Sequence, residues 1–365
     1  MFRSAFHRRA ARAALAVLWL LAGCGGYDRF DAAPVEEPAR TDALAPFEAA
    51  QWPDHMHRLD LPRTRDYVIL SFLPTNHPFD LSTPTRARWS LIEAMSSPGQ
   101  DTRIGHAIVA WQCGPNRGMT SMTGASGPES GQLVRDGWGF VAALSTYSDG
   151  RLYPEGEHRL ANLRGIEQGR AIVTAVEVDR AECEAMRDEL TRFVTHPNRP
   201  ATRYGLMLAP ERYEGAGCIS FGFYLANAAG AMEGLTPAIR REVTLYAPVL
   251  GRAGDELPGV AHYRPPAGCC ETPVPPARLL ASRWDQGPPV DRVHVEDGEL
   301  VVAALVAARE DVAPDDDWRF ARMLPEARDP YVARAAEAGR AFAADYPVRR
   351  IADAGGVAAL VLERE

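Results

Sequence analysis

The apolar positions divide the chain into a short run near its start and a body in which two periods alternate. Ala13 to Leu21 is continuously apolar, yet too short to span a bilayer. From Gly25 to about Arg58, Ala, Pro, Glu and Asp follow one another with little periodicity, which predicts a flexible tether with order beginning near Leu61. Residues 66 to 73 (DYVILSFL) are dense in β-branched and aromatic side chains and predict a strand; Pro74 to Pro84 reads as loop, and Thr85 to Met95 has helical spacing. A second strand is expected over 105 to 113 (GHAIVAWQC). A Gly-rich loop with Gly118, Gly124, Gly127 and Gly131 leads to a third strand from Trp138 to Ser145, and 170 to 178 (RAIVTAVEV) gives a fourth. Asp179 is a suitable N-cap for a helix from Arg180 to Val194, with Glu182 and Glu184 early in it, where the helix dipole favours negative charge.

A further helix starts near Cys218. Leu257 to Pro289 is rich in proline and predicts a covering loop or a connection between lobes. Beyond it the pattern predicts a hairpin (292 to 296 and 300 to 306, turned at Asp297-Gly298), a helix from Asp329 to Tyr346, and a last hairpin turned at Gly355-Gly356. The layout is α+β: an α+β domain over 61–256, a Pro-rich connection over 257–290 and a smaller α+β C-terminal lobe over 291–365.

The start of the chain carries Arg3, Arg8, Arg9 and Arg12 and no acid ahead of the apolar run, which is the pattern of a secretion signal over residues 1–23. The run closes with Leu21-Ala22-Gly23-Cys24, which resembles the lipobox of bacterial lipoproteins. That resemblance implies cleavage before Cys24, lipidation of its thiol and anchoring to a membrane surface through 24–60. Gly25 stands where an Asp would favour the inner membrane, so the same resemblance points to the periplasmic face of the outer membrane.

Removing the leader leaves about 340 residues, enough for one large domain or two smaller ones. The formal charge of −8 includes the leader arginines, so the body is more acidic still, which argues against nucleic acid and against broad contact with anionic lipid. All the basic residues are arginine. With Cys24 assigned to lipid, Cys113, Cys183, Cys218, Cys269 and Cys270 remain; the odd number leaves at least one thiol unpaired in an oxidising compartment. Cys269 and Cys270 are expected to pair elsewhere or stay exposed rather than bond each other. No Cys-x-x-Cys, P-loop, His-Glu-x-x-His or Gly-x-Ser-x-Gly occurs, and neither a metal nor a cofactor is expected; Asp315-Asp316-Asp317 reads as an acidic surface turn.

The most informative stretch is 204 to 230 (YGLMLAPERYEGAGCISFGFYLANAAG). Apolar or small residues recur at Phe221, Gly222, Leu225, Ala226 and Ala229, so Cys218 falls in the first turn of a packed helix on its buried face, and Gly230 supplies a stop. A thiol there meets the positive end of the helix dipole, which lowers its pKa, and nearby N–H groups could hold an oxyanion. A free cysteine is also among the residues most often buried as a small hydrophobe. A nucleophilic thiol needs a base, and His106 is the candidate: His7 lies in the leader, His55 and His57 in the tether, and His77 and His196 beside prolines, whereas His106 opens an apolar strand after Gly105.

Gly-His leading a strand and a later Gly-x-Gly-Cys-x-x-Phe leading a helix together resemble the papain-like NlpC-type cysteine hydrolases. The closest likeness is to the circularly permuted subgroup, in which the His strand precedes the Cys helix. The resemblance covers roughly 66 to 230 and implies a permuted papain-like fold with an antiparallel sheet, Cys218 as nucleophile and His106 as base. It further implies that Tyr204, with Gly205 after it, lines the oxyanion site. The family also places a third, polar residue on the strand after the His strand; Ser145 is the candidate, with Gln112 the weaker one. The implied activity is hydrolysis of an amide or ester in peptidoglycan peptides or acylated lipids. A non-catalytic envelope lipoprotein that uses the fold for binding or assembly is the alternative.

Overall fold

The computed structural model describes residues 43–48, 52–75, 79–96, 105–124, 127–153, 158–252, 256–313, 329–353 and 356–365. The leader, Cys24, His77 and the Asp315-Asp316-Asp317 turn lie outside the described residues. In chain order the helices are α1 (Ala45–Glu48), α2 (Asp54–His57), α3 (Pro84–Ser96), α4 (Gly127–Arg135), α5 (Val141–Leu144), α6 (His158–Glu167), α7 (Arg180–Thr195), α8 (Cys218–Ala228), α9 (Pro276–Ala281), α10 (Gly298–Ala307) and α11 (Pro330–Ala344). The strands are β1 (Asp66–Leu73), β2 (His106–Cys113), β3 (Asn116–Thr120), β4 (Met122–Gly124), β5 (Thr146–Tyr147), β6 (Gly150–Leu152), β7 (Ile172–Val178), β8 (Arg240–Tyr246), β9 (Val260–Ala261), β10 (Pro289–Glu296), β11 (Val348–Asp353) and β12 (Ala358–Glu363).

The organising element is a mixed, mostly antiparallel six-stranded sheet in the order β11-β12-β7-β1-β2-β3, in which only the β12–β7 pair is parallel. Every residue of β1 and β2 is buried, as expected of central strands that are apolar on both faces. Strand alternation sends Val68, Leu70, Phe72, Ala107 and Val109 to one face, where α7, α8, α10 and α11 cover them. Tyr67, Ile69, Ile108 and Ala110 go to the other, beneath Trp52, Met56, Leu59 and Ile166. A third apolar cluster, around Trp138, Leu245 and Trp284, lies beneath α3, α5, α9 and the β8–β10 ribbon. Among the described residues no helix is long and apolar enough to cross a membrane.

Several expectations need correction. Packing begins at Ala43, well before Leu61. Phe47 and Trp52 are buried, Glu48 pairs with Arg187 at 2.7 Å, and the Trp52 indole donates to Gly118 O at 3.1 Å beneath the Arg117 guanidinium. The C-terminal segment is no separate lobe, because β11 and β12 extend the main sheet and α10 and α11 cover it. The expected strand at 138 to 145 is a turn followed by α5. Gly137 and Gly139 take positive φ (94° and 59°), which breaks the extended run, and Ser145 Oγ donates to Val141 O across the helical turn at 2.8 Å. The expected strand at 300 to 306 is α10, buried on all sides; Asp297 caps it by accepting from Glu299 N, and a continuous apolar run does not itself distinguish the two states. The Gly-rich stretch holds β3, β4 and α4. Gly118 lies in β3 opposite Trp111, whose ring occupies the place of its Cβ, so a glycine is needed there.

Candidate functional site

Cys218 begins α8 after Gly217, and its N-terminal position follows from local sequence. Gly217 takes the extended N-cap conformation, and Ser220 Oγ accepts from Gly217 N at 3.0 Å. Ala216 pairs with Tyr204 through an isolated bridge, and Tyr204 in turn exchanges both backbone hydrogen bonds with Tyr147 at 2.8 Å. The tyrosine is thereby held beside the helix tip. Its hydroxyl donates to Cys218 Sγ at 3.9 Å.

The helix tip rests on the start of β2. The thiol donates to Gly105 O at 3.7 Å, one residue short of His106, and the Ala107 N–H also points at the sulfur. Gly105 has φ 86°, and a Cβ there would stand 2.6 Å from Phe72 Cζ, so the approach to β2 admits glycine alone. Cys218 is 2% exposed. Burial pushes its thiol pKa up, against the favourable pull of the Ala107 N–H, the Tyr204 hydroxyl and the Ile219 N–H. The expected lowering by the helix dipole is therefore overridden: the resting group is a thiol, surrounded by donors that would favour the thiolate.

His106 is fully buried, and its ring stands edge-on to Tyr153 with centroids 5.9 Å apart. Ala107 lies in the core cluster that holds Cys218, and Tyr153 in the cluster of the opposite face. Ser121, just beyond β3, lies at the end of the strand pairing between β2 and β3. Its Oγ is 2.9 Å from His106 Nε2 and donates to Ala107 O at 2.5 Å. One hydroxyl has one proton, so with that proton on Ala107 O, Ser121 accepts from Nε2–H. In the neutral ring the lone pair then falls to Nδ1.

Cys218 and Tyr204 thus meet at the start of β2, against Gly105 and Ala107, whereas strand alternation turns the His106 ring toward Tyr153 on the other face of the sheet, so the imidazole is not brought onto the sulfur. Ser145 does not supply the contact to the imidazole that the sequence suggested. It closes the α5 turn and accepts from Tyr263 N at 3.3 Å. Gln112 is also engaged elsewhere, donating to Pro62 O and Arg65 O at 2.8 Å each. The hydroxyl at His106 belongs to Ser121, which lies in the stretch whose glycines at 118, 124, 127 and 131 predict a loop. The alternation of Arg117, Met119 and Ser121 after the Gly114 turn is the signal that a strand follows the His strand.

The disulfide Cys113–Cys183 joins β2 to α7, and Cys269–Cys270 joins two neighbours, contrary to expectation; Cys218 is the unpaired cysteine among the described residues. No group of three or more His, Cys, Asp or Glu that could hold a metal occurs among the described residues. No family model, curated protein or solved structure matches this chain.

Proposed function

We propose that the chain is an envelope-anchored thiol hydrolase of permuted papain-like fold, lipidated at Cys24 and facing the periplasm from the outer membrane. The observation that carries the reading is the setting of Cys218: an unpaired thiol at a helix N-terminus, against the strand that His106 opens, with the Tyr204 hydroxyl and backbone N–H groups directed at its sulfur. This reading requires the His106 imidazole, which rests toward Tyr153, to reach the Cys218 side, where it takes the thiol proton as the sulfur attacks an amide or ester carbonyl. The Tyr204 hydroxyl and the N–H groups of the first turn of α8 stabilise the oxyanion. The imidazolium then protonates the leaving group, and water, deprotonated by the same ring, releases the acyl group from the sulfur. Ser121 holds the imidazole in the required tautomer. Peptidoglycan peptides and acylated lipids are the substrate classes that envelope placement supplies; nucleic acid is not a partner.

The burial of Cys218 favours a second reading, a non-catalytic envelope lipoprotein in which the thiol is a core residue and the fold serves binding or assembly. Incubation with p-nitrophenyl acetate followed by peptide mass mapping separates the two. The hydrolase gains an acetyl group on Cys218 that decays in water, and His106→Ala slows its formation by about a hundredfold, within the range of a lost general base. Absence of acylation at Cys218, or acylation indifferent to His106, favours the binding protein.

A further inference from the structure

The two disulfides differ in what they can do for the fold. Cys113 and Cys183 are 70 positions apart and wholly buried, so their bond closes a long loop and restricts the unfolded chain. Cys269 and Cys270 are neighbours, and a bond between them closes no loop of chain to speak of. Stabilisation of the fold does not account for it. Both residues are partly exposed, in a turn after Pro265 and Pro266. Cys270 has φ 67°, a left-handed conformation that residues other than glycine rarely adopt, and Gly268 has φ 85°.

The turn leads directly into a clamped segment. Thr272 O accepts from Arg252 N at 3.4 Å, and Val274 N donates to Gly137 O at 2.6 Å. A Cβ at Gly139 would press on Val274 at 3.1 Å, so little space is left there.

We propose that Cys269–Cys270 is a thiol–disulfide exchange site whose co-substrate is a dithiol, while Cys113–Cys183 is the structural bond. A donor thiolate attacks one of the two sulfurs, forming a mixed disulfide and expelling the other cysteine as a thiolate that takes a proton. The donor's second thiol, losing its proton, then attacks the donor sulfur of the mixed bond. The donor leaves as a disulfide, and Cys269 and Cys270 are left as two thiols, having received two electrons and two protons. Exposure decides the selectivity, since the attacking thiolate must reach a sulfur along the S–S axis.

The test is a dithiothreitol titration of the full chain under native conditions, quenched with N-ethylmaleimide and read by peptide mass mapping, which reports each cysteine separately. The expected result is half-alkylation of Cys269 and Cys270 at a dithiothreitol concentration at least about tenfold below that needed for Cys113 and Cys183, with full reclosure on adding oxidised dithiothreitol. Simultaneous opening of both pairs, earlier opening of Cys113–Cys183, alkylation of Cys269 and Cys270 without reductant, or failure to reclose would each overturn the proposal. The outcome does not depend on Cys218 or on the hydrolase reading.

Discussion

Gly124 and Tyr204 pack so closely that the tyrosine ring occupies the place of a side chain: a Cβ at Gly124 would lie 2.5 Å from Tyr204 Cδ1 and 2.7 Å from Cγ. The ring lies over β4, and its hydroxyl reaches the sulfur of Cys218. Gly124→Ala is therefore expected to displace Tyr204 and to destabilise the fold by about 1–3 kcal/mol, the usual range for overpacking. Denaturant unfolding gives the stability. The rate of p-nitrophenyl acetate turnover should fall with it, and Tyr204→Phe, which keeps the ring, should lower turnover without the loss of stability.

Ser121→Ala leaves the imidazole without its acceptor at Nε2, and Ser121→Thr keeps a hydroxyl there. Acylation at Cys218 should drop by roughly tenfold in the alanine variant, a modest share of the general-base effect, and recover in part with threonine. The pH profile of acylation should shift in the alanine variant only, which a simple packing defect would not produce.

His55 is buried in α2 with neither ring nitrogen hydrogen-bonded, and desolvation lowers its pKa to about 4, with Asp54 opposing and Arg58 adding to the shift. A base with a depressed folded pKa costs nothing above 6.5, where folded and unfolded chains both hold it neutral. As pH falls from 6.5 to 4 the unfolded chain gains the proton first, and about 3 kcal/mol of stability is lost. Urea unfolding at a series of pH values should show that slope, and His55→Leu should flatten it.

Glu299 behaves in the opposite sense. Both its carboxylate oxygens are buried without a partner. Desolvation, reinforced by Asp297, Asp80 and Asp329 and opposed by Arg241, pushes its pKa up to about 9. An acid with a raised folded pKa contributes most below 4.5, and its share is lost as pH climbs from 4.5 to 9. Glu299→Gln should remove this decline, so that thermal unfolding measured at pH 5 and pH 8 differs less in the variant than in the parent. An unchanged difference would show that other groups set the slope.

Replacing Cys113 and Cys183 together by serine opens the loop of 70 residues and should cost about 2–5 kcal/mol. Denaturant unfolding of the double variant beside the oxidised parent chain checks this.

Much of the site's frame was legible in the sequence because it rests on local signals. The continuous apolar runs of β1 and β2 match their burial on both faces. Asp179 and Glu182 form a reciprocal cap at α7, and the spacing after Cys218 matches the buried face of α8. What was not legible depends on contacts distant along the chain. Val141 to Leu144 and Leu300 to Val306 are too uniformly apolar for periodicity to separate strand from helix, and tertiary packing decides both. His55 falls in the stretch whose composition predicts a tether, yet its segment folds back onto the sheet through Trp52, Met56 and Leu59. The raised thiol pKa at Cys218 reflects burial by β2, which the helix alone does not reveal.

The central claim is that His106 activates the thiol of Cys218, and the pH dependence of Cys218 acylation by p-nitrophenyl acetate tests it most directly. The account predicts that the parent chain acylates at neutral pH with a rate that rises through a titration absent from His106→Ala, in which acylation survives only at alkaline pH, where the thiol ionises unaided. Identical profiles for the parent and His106→Ala would contradict it.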